Sequence, residues 1–131
     1  MAKLDMVVWL DNGFWINQVK TFPPGDLLQG KIRLIAQSNM KCHHLVVTVR
    51  WRTNDRGDTD NGAVYSNDLF QDRLLSTQSI ELPFQVQLPL EPYSYDGQVV
   101  KIVWEVLVKA DLGLFTRPSV VSPFLMRPLA K

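Results

Sequence analysis

The sequence predicts an all-β protein, a two-sheet antiparallel β-sandwich of about seven to eight strands. Three observations carry that expectation. Five segments alternate apolar and polar residues with a period of two, so each has one face for a core and one for water. No window of 12 or more residues shows the i, i+3, i+4, i+7 apolar spacing of a helix. The eight prolines fall mostly where an alternating segment stops.

Met6–Leu10 is a short apolar run, followed by the turn signal Asp11-Asn12-Gly13 and then by Phe14–Lys20, so an N-terminal hairpin is expected. Leu28, Gly30, Ile32, Leu34 and Ala36 share a face opposite Gln29, Lys31, Arg33 and Gln37, with Ile35 as the exception. Leu45, Val47, Val49 and Trp51 alternate with His44, Thr48, Arg50 and Arg52. The interval Thr53–Gly62 is polar and reads as an exposed loop. Asp68–Leu75 is the nearest approach to a helix and would form a single turn. Ile80, Leu82, Phe84, Val86 and Leu88 alternate next, and Pro83 on their outward side marks an edge strand or a bulge. Val100, Ile102, Trp104, Val106 and Val108 alternate with Lys101, Glu105 and Lys109. Val120, Phe124 and Met126 alternate less cleanly around Pro123, within an Arg117–Lys131 segment expected along a sheet edge. Strands buried on one side, with no helix to cover them, must cover each other. A closed barrel is the competing arrangement.

At 131 residues the chain reads as a single domain, residues 1–131. A net charge of +1 excludes nucleic-acid binding by bulk charge, and no apolar run is long enough for a membrane span. No secretory pattern opens the chain, and one cysteine forms no internal disulfide, so a cytoplasmic location is expected.

Candidate chemistry is sparse. Cys42-His43-His44 is the most metal-like cluster, but neighbouring strand residues face opposite sides, and there is no third histidine. Asp55, Asp58, Asp60 and Asn61 before Gly62 suggest a calcium loop, yet the EF-hand register fails, leaving only a loop-to-loop site of another kind. No nucleophile elbow, phosphate loop or paired carboxylates are readable, so no enzyme activity, cofactor or metal is expected. Lys31, Arg33, Arg50 and Arg52 lie on the outward faces of two strands. If those strands are neighbours, the four cations form a patch for an acidic or phosphorylated peptide. Trp51 and Trp104 fall on core faces, whereas alternation does not decide the side of Trp9 and Trp15, which would form an apolar platform if exposed.

Three stretches in order resemble the arrestin-like family. They are Phe22-Pro23-Pro24-Gly25-Asp26-Leu27-Leu28-Gln29-Gly30-Lys31-Ile32, then Leu82-Pro83-Phe84-Gln85-Val86-Gln87-Leu88-Pro89, then Glu91-Pro92-Tyr93-Ser94-Tyr95-Asp96-Gly97 leading into Val99–Ala110. In the last, Trp104 stands where the family usually has tyrosine. The resemblance runs from Met6 to Pro128 and implies a single N-terminal-type arrestin-like (immunoglobulin-like) sandwich. It also implies a scaffold or adaptor role, since members bind other proteins such as receptor tails, ubiquitin ligases or trafficking coats and are not enzymes. The family usually carries two sandwiches in tandem. A single one implies an excised domain or a single-sandwich relative, and the charged core of the signalling arrestins is not carried over.

The expected function is therefore a non-enzymatic protein-interaction module with a protein partner of unknown identity. A homodimer through an edge strand or an exposed sheet face is also expected. The alternative is a carbohydrate-binding sandwich that uses exposed tryptophan and loop aspartates.

Overall fold

The computed structural model describes residues 4–55, 60–97 and 100–128. Twelve strands and no helix occur among them: β1 Leu4–Leu10, β2 Phe14–Ile16, β3 Val19–Phe22, β4 Leu27–Ala36, β5 Met40–Cys42, β6 His44–Asp55, β7 Asn61–Asp68, β8 Asp72–Leu74, β9 Ser79–Gln87, β10 Tyr95–Asp96, β11 Val100–Asp111 and β12 Ser119–Met126. The count exceeds seven to eight because β2, β5, β8 and β10 are only two or three residues long. The segment 68–75 forms the end of β7 and β8 rather than a helical turn.

Two sheets face each other. The small one has the order β1-β4-β9, and the large one β2-β3-β12-β11-β6-β7, with β10 also paired to β11. The pair β5-β8 continues the β4-β9 ribbon beyond a bend in both strands. Alternation decides the faces. Leu28, Ile32 and Leu34 of β4 and Phe84 and Val86 of β9 meet Leu45, Val47, Val49, Trp104, Val106, Val108 and Phe124 of the large sheet in one core. Pro83 lies outward on β9, which is an edge strand, as a residue without an amide donor requires.

The N-terminal hairpin is not formed as expected. β1 pairs with β4, and the next segment folds on itself as β2-β3 around Asn17-Gln18, whose φ values of 51° and 66° are those of a two-residue primed turn. Asp11-Asn12-Gly13 instead carries the chain from the small sheet to the large one. Asn12 fixes that crossing by donating to the Leu27 carbonyl and accepting from the Gln29 amide, at 2.6 and 2.8 Å. The C-terminal strand is also placed differently. β12 lies inside the large sheet, between β11 and β3. Gly30 sits where β1 and Phe84 close over β4, and an added Cβ would lie 2.5 Å from the Trp9 carbonyl, so only glycine fits.

Candidate functional site: the tryptophan groove beside β1

Leu4, Met6, Val8 and Leu10 of β1 pack on the core, which turns Trp9 outward. Trp9 is opposite Lys31 in the β1-β4 register. The Lys31 ammonium lies 6.0 Å and the Arg33 guanidinium 4.7 Å from the Trp9 ring centroid, a cation–π arrangement. Sealed in that stack, Arg33 Nε has no hydrogen-bond partner among the described residues. Asp11 and Glu81 lie 3.9 Å from Lys31 and Arg33, at the limit of an ion pair and half exposed, so they hold those cations weakly.

Trp15 is 67% exposed on the β2-β3 hairpin, with the Lys20 ammonium 4.8 Å from its ring centroid. The structure brings the two tryptophans together. Trp9 and Trp15 line one groove of about 290 Å³, with Leu10, Lys20, Ser122 and Pro123. The groove follows from the pairing pattern. β1 pairs on one side only, with β4, and β12 pairs with β3 only at Leu125 and Met126, so two strand edges face each other across it.

The four outward cations do not form one patch. Lys31 and Arg33 stand on β4 in the small sheet, whereas Arg50 and Arg52 stand on β6 in the large one, so their outward faces point away from each other. Arg50 and Arg52 are moreover already engaged. Arg50 Nη2 lies 2.7 Å from Glu105 Oε2, and Arg52 Nε lies 3.1 Å from Oε1. The β6-β11 register places Glu105 directly opposite Arg50, and although its side chain points outward, it is only 3% exposed. Glu105 alternates with Lys101 and Lys109 in the sequence, and nothing short of the strand register reveals its role.

Cys42 and His44 both lie near Asp68, whereas His43 lies against Gly113. Buried Cys42 donates to the His44 carbonyl, and burial followed by the negative charge of Asp68 pushes its thiol up to about 11, which makes it a poor nucleophile. His44 Nδ1 is 2.6 Å from Asp68 Oδ2. Among the described residues no three His, Cys, Asp or Glu side chains gather as a metal site. The calcium candidates Asp55, Asp58, Asp60 and Asn61 fall partly outside the description, since residues 56–59 are not described.

Asp68 gives the fold a dependence on pH. Burial pushes its carboxyl up, but hydrogen bonds from His44, from Gln71 and from the Leu45 amide outweigh that, so it titrates below the ordinary carboxylate range. A carboxyl depressed in the folded state contributes stability above its unfolded pKa of about 4 and loses it as pH falls through the lower folded value. Asp68→Asn is therefore expected to flatten the fall of the urea midpoint below about pH 4. An unchanged slope would show that Asp68 is not coupled to folding.

No family model matches the chain, and no curated protein matches it in sequence. Among solved structures it is similar to Spo0M, a sporulation control protein from Bacillus subtilis, with a TM-score of 0.72 and 14% sequence identity. The match covers 98% of this chain and 50% of that one, so the chain spans about half the length of that structure. The likeness shows the fold, an all-β sandwich of arrestin-like type. No helix among the described residues is long and apolar enough to cross a membrane.

Proposed function

We propose that the chain is a non-enzymatic protein-interaction module of arrestin-like type, acting as an adaptor in the cytoplasm. It takes an extended, acidic segment of a partner protein over the groove between β1 and β12. The observation that carries this reading is the meeting of Trp9 and Trp15 in that groove, with Lys20, Lys31 and Arg33 around them. The groove, closed on its far side by Ser122 and Pro123 of β12, offers a place for one apolar side chain of such a peptide between the two tryptophans. The cations supply attraction for carboxylate or phosphate, since the acidic neighbours of Lys31 and Arg33 are distant and solvated. Spo0M is a sporulation control protein, and an adaptor of related fold is compatible with control by binding. The carbohydrate alternative is less well supported, because a cation already lies over each tryptophan ring.

Selection of a random peptide display library on the purified protein tests the reading. Enriched peptides are expected to carry an apolar residue flanked by acidic ones. Trp15→Ala, which removes a largely exposed side chain, is expected to weaken the best peptide about tenfold or more, near 1.4 kcal/mol. Equal binding by the variant, or binding confined to a glycan array, would refute the peptide groove.

A further inference from the structure

The turn joining β11 to β12 presents Leu114 and Phe115 at its tip, 95% and 93% exposed. Both have positive φ, 49° and 66°, and Thr116 donates to the Gly113 carbonyl across them at 2.9 Å, which makes a two-residue primed turn. Asparagine and glycine enter that conformation readily, whereas leucine and phenylalanine enter it under strain. The turn is nevertheless tightly fixed, since Leu112 donates to the Thr116 carbonyl and Gly113 to the Asp111 carboxylate. Two large apolar side chains are thus held out on a rigid, strained apex, where they find no packing in their own molecule.

The surroundings of this apex are cationic. His43 lies against Gly113, and its amide donates to the Asp111 carbonyl at 2.8 Å, so β5 ends beside the turn. Lys41 of β5 stands directly opposite Arg73 of β8, a like-charge pairing that is unfavourable until an anion meets it. On β11, exposed Lys109 lies three residues before Leu112, about 10 Å back from the base of the turn. Among the described residues, none of Lys41, Arg73 and Lys109 has an acid within ion-pair distance. The acids at this end of the sandwich are engaged elsewhere, Asp68 by His44, Asp72 by the Arg73 amide, and Asp111 by Arg117 and the Gly113 amide.

We infer that the Leu114-Phe115 tip is a membrane-interface anchor, which enters an anionic bilayer while Lys41, Arg73 and Lys109 meet the lipid headgroups. The shape selects a bilayer over a protein. A stable protein interface needs ~800 Å² per partner, and two side chains on a convex tip, flanked by Gly113, Thr116 and Arg117, offer a small part of that. A fluid bilayer closes around a small apex, and surface-bound apolar groups sit ~5–10 Å into the boundary between headgroups and acyl chains. At that depth the cations behind the turn fall at headgroup level, where each lysine or arginine adds to the attraction. The fixed turn lowers the ordering cost of insertion. A single apex of this size gives reversible attachment, not permanent anchoring. The tip lies where β12 begins, whereas the tryptophan groove meets β12 at Ser122 and Pro123, so the anchor does not rest on the groove.

Flotation of the wild-type chain with phosphatidylcholine vesicles, with and without about 30% phosphatidylserine, tests the inference. The wild type is expected to float with the anionic vesicles and far less with the neutral ones. Leu114→Asn/Phe115→Gly removes both apolar side chains and supplies residues that suit the turn. This tip variant is expected to match or exceed the wild-type urea midpoint, while its partition into anionic vesicles falls about tenfold or more. Phe115→Trp keeps an aromatic ring at the apex, so it is expected to float like the wild type and to show a blue shift of emission on anionic vesicles beyond that of the wild type. A wild type that stays in solution, a tip variant that floats equally well, or flotation indifferent to phosphatidylserine would each overturn the anchor. So would a wild-type dimer in sedimentation equilibrium that the tip variant dissolves, which would give the tip to a second copy. Peptide selection on the tip variant is expected to match the wild type, so failure of the anchor and failure of the groove are separable.

Discussion

Trp104→Ala is expected to cost about 3–5 kcal/mol of unfolding free energy, the range for truncating a large buried aromatic. Trp104 is the largest fully buried side chain. It lies on the inner face of β11, with its ring 5.8 Å from Phe124, which in turn meets Phe22 edge-on at 5.6 Å. Truncation would remove the largest ring from one end of a three-ring row that belongs wholly to the large sheet, with Phe124 at its centre, and the surrounding strands are too constrained by their ladders to collapse into the space. A second loss is polar: Trp104 Nε1 donates to the Pro92 carbonyl at 2.8 Å, and that acceptor would be left without it. Trp104→Phe separates the two effects, since it keeps most of the ring and loses the donor, and is expected to cost about 1–3 kcal/mol. A small domain has about 5–15 kcal/mol to lose, so the alanine variant is best measured by urea unfolding in the cold. An alanine midpoint within about 1 kcal/mol of the wild type would show that the ring stack is not a centre of stability.

The same tryptophan shows how much of the molecule is legible in the chain. Its inward side follows from the alternation Val100, Ile102, Trp104, Val106, Val108, and so does the burial of Leu28, Ile32 and Leu34 on β4. Such positions are legible because burial and the period of the pleat are local and agree. Its hydrogen bond to Pro92 is not legible, because it depends on where a loop passes. Pairing is harder still. Asn17-Gln18 makes a primed turn without glycine, so Asp11-Asn12-Gly13 is the stronger local signal for a hairpin, and it is overruled because β1 gains more by laying Leu4, Met6 and Val8 on the core beside β4. The site shares this limit. Trp9 and Trp15 are readable as candidates, but their common groove depends on two strands in different sheets, and Lys20 is recognisable as part of it only afterwards.

Arg50→Ala/Arg52→Ala is expected to destabilise the fold by about 3–5 kcal/mol, the effect of stripping the partners from a buried charge. Glu105 points to the outer side of the large sheet, yet its side chain is 4% exposed, against 33% and 43% for Arg50 and Arg52. The carboxylate is thus desolvated while the two cations keep much of their water. Each arginine serves one oxygen, Arg50 Nε also lying 2.9 Å from Oε2, so either single substitution leaves half of the pairing in place and costs less than the double. The asymmetry in burial sets the sign of the rescue. Adding Glu105→Leu to the double variant removes the uncompensated charge and fills its place with apolar volume, and is expected to restore most of the lost stability. It also decides how binding experiments on this face are to be read. Reversing Arg50 and Arg52 to glutamate would gather three carboxylates around one dry position, and any loss of partner capture would then report unfolding rather than recognition. Urea midpoints of the single, double and triple variants provide the check. A double variant within about 1 kcal/mol of the wild type, or a triple variant no better than the double, would mean that water reaches Glu105 as soon as the arginines are gone.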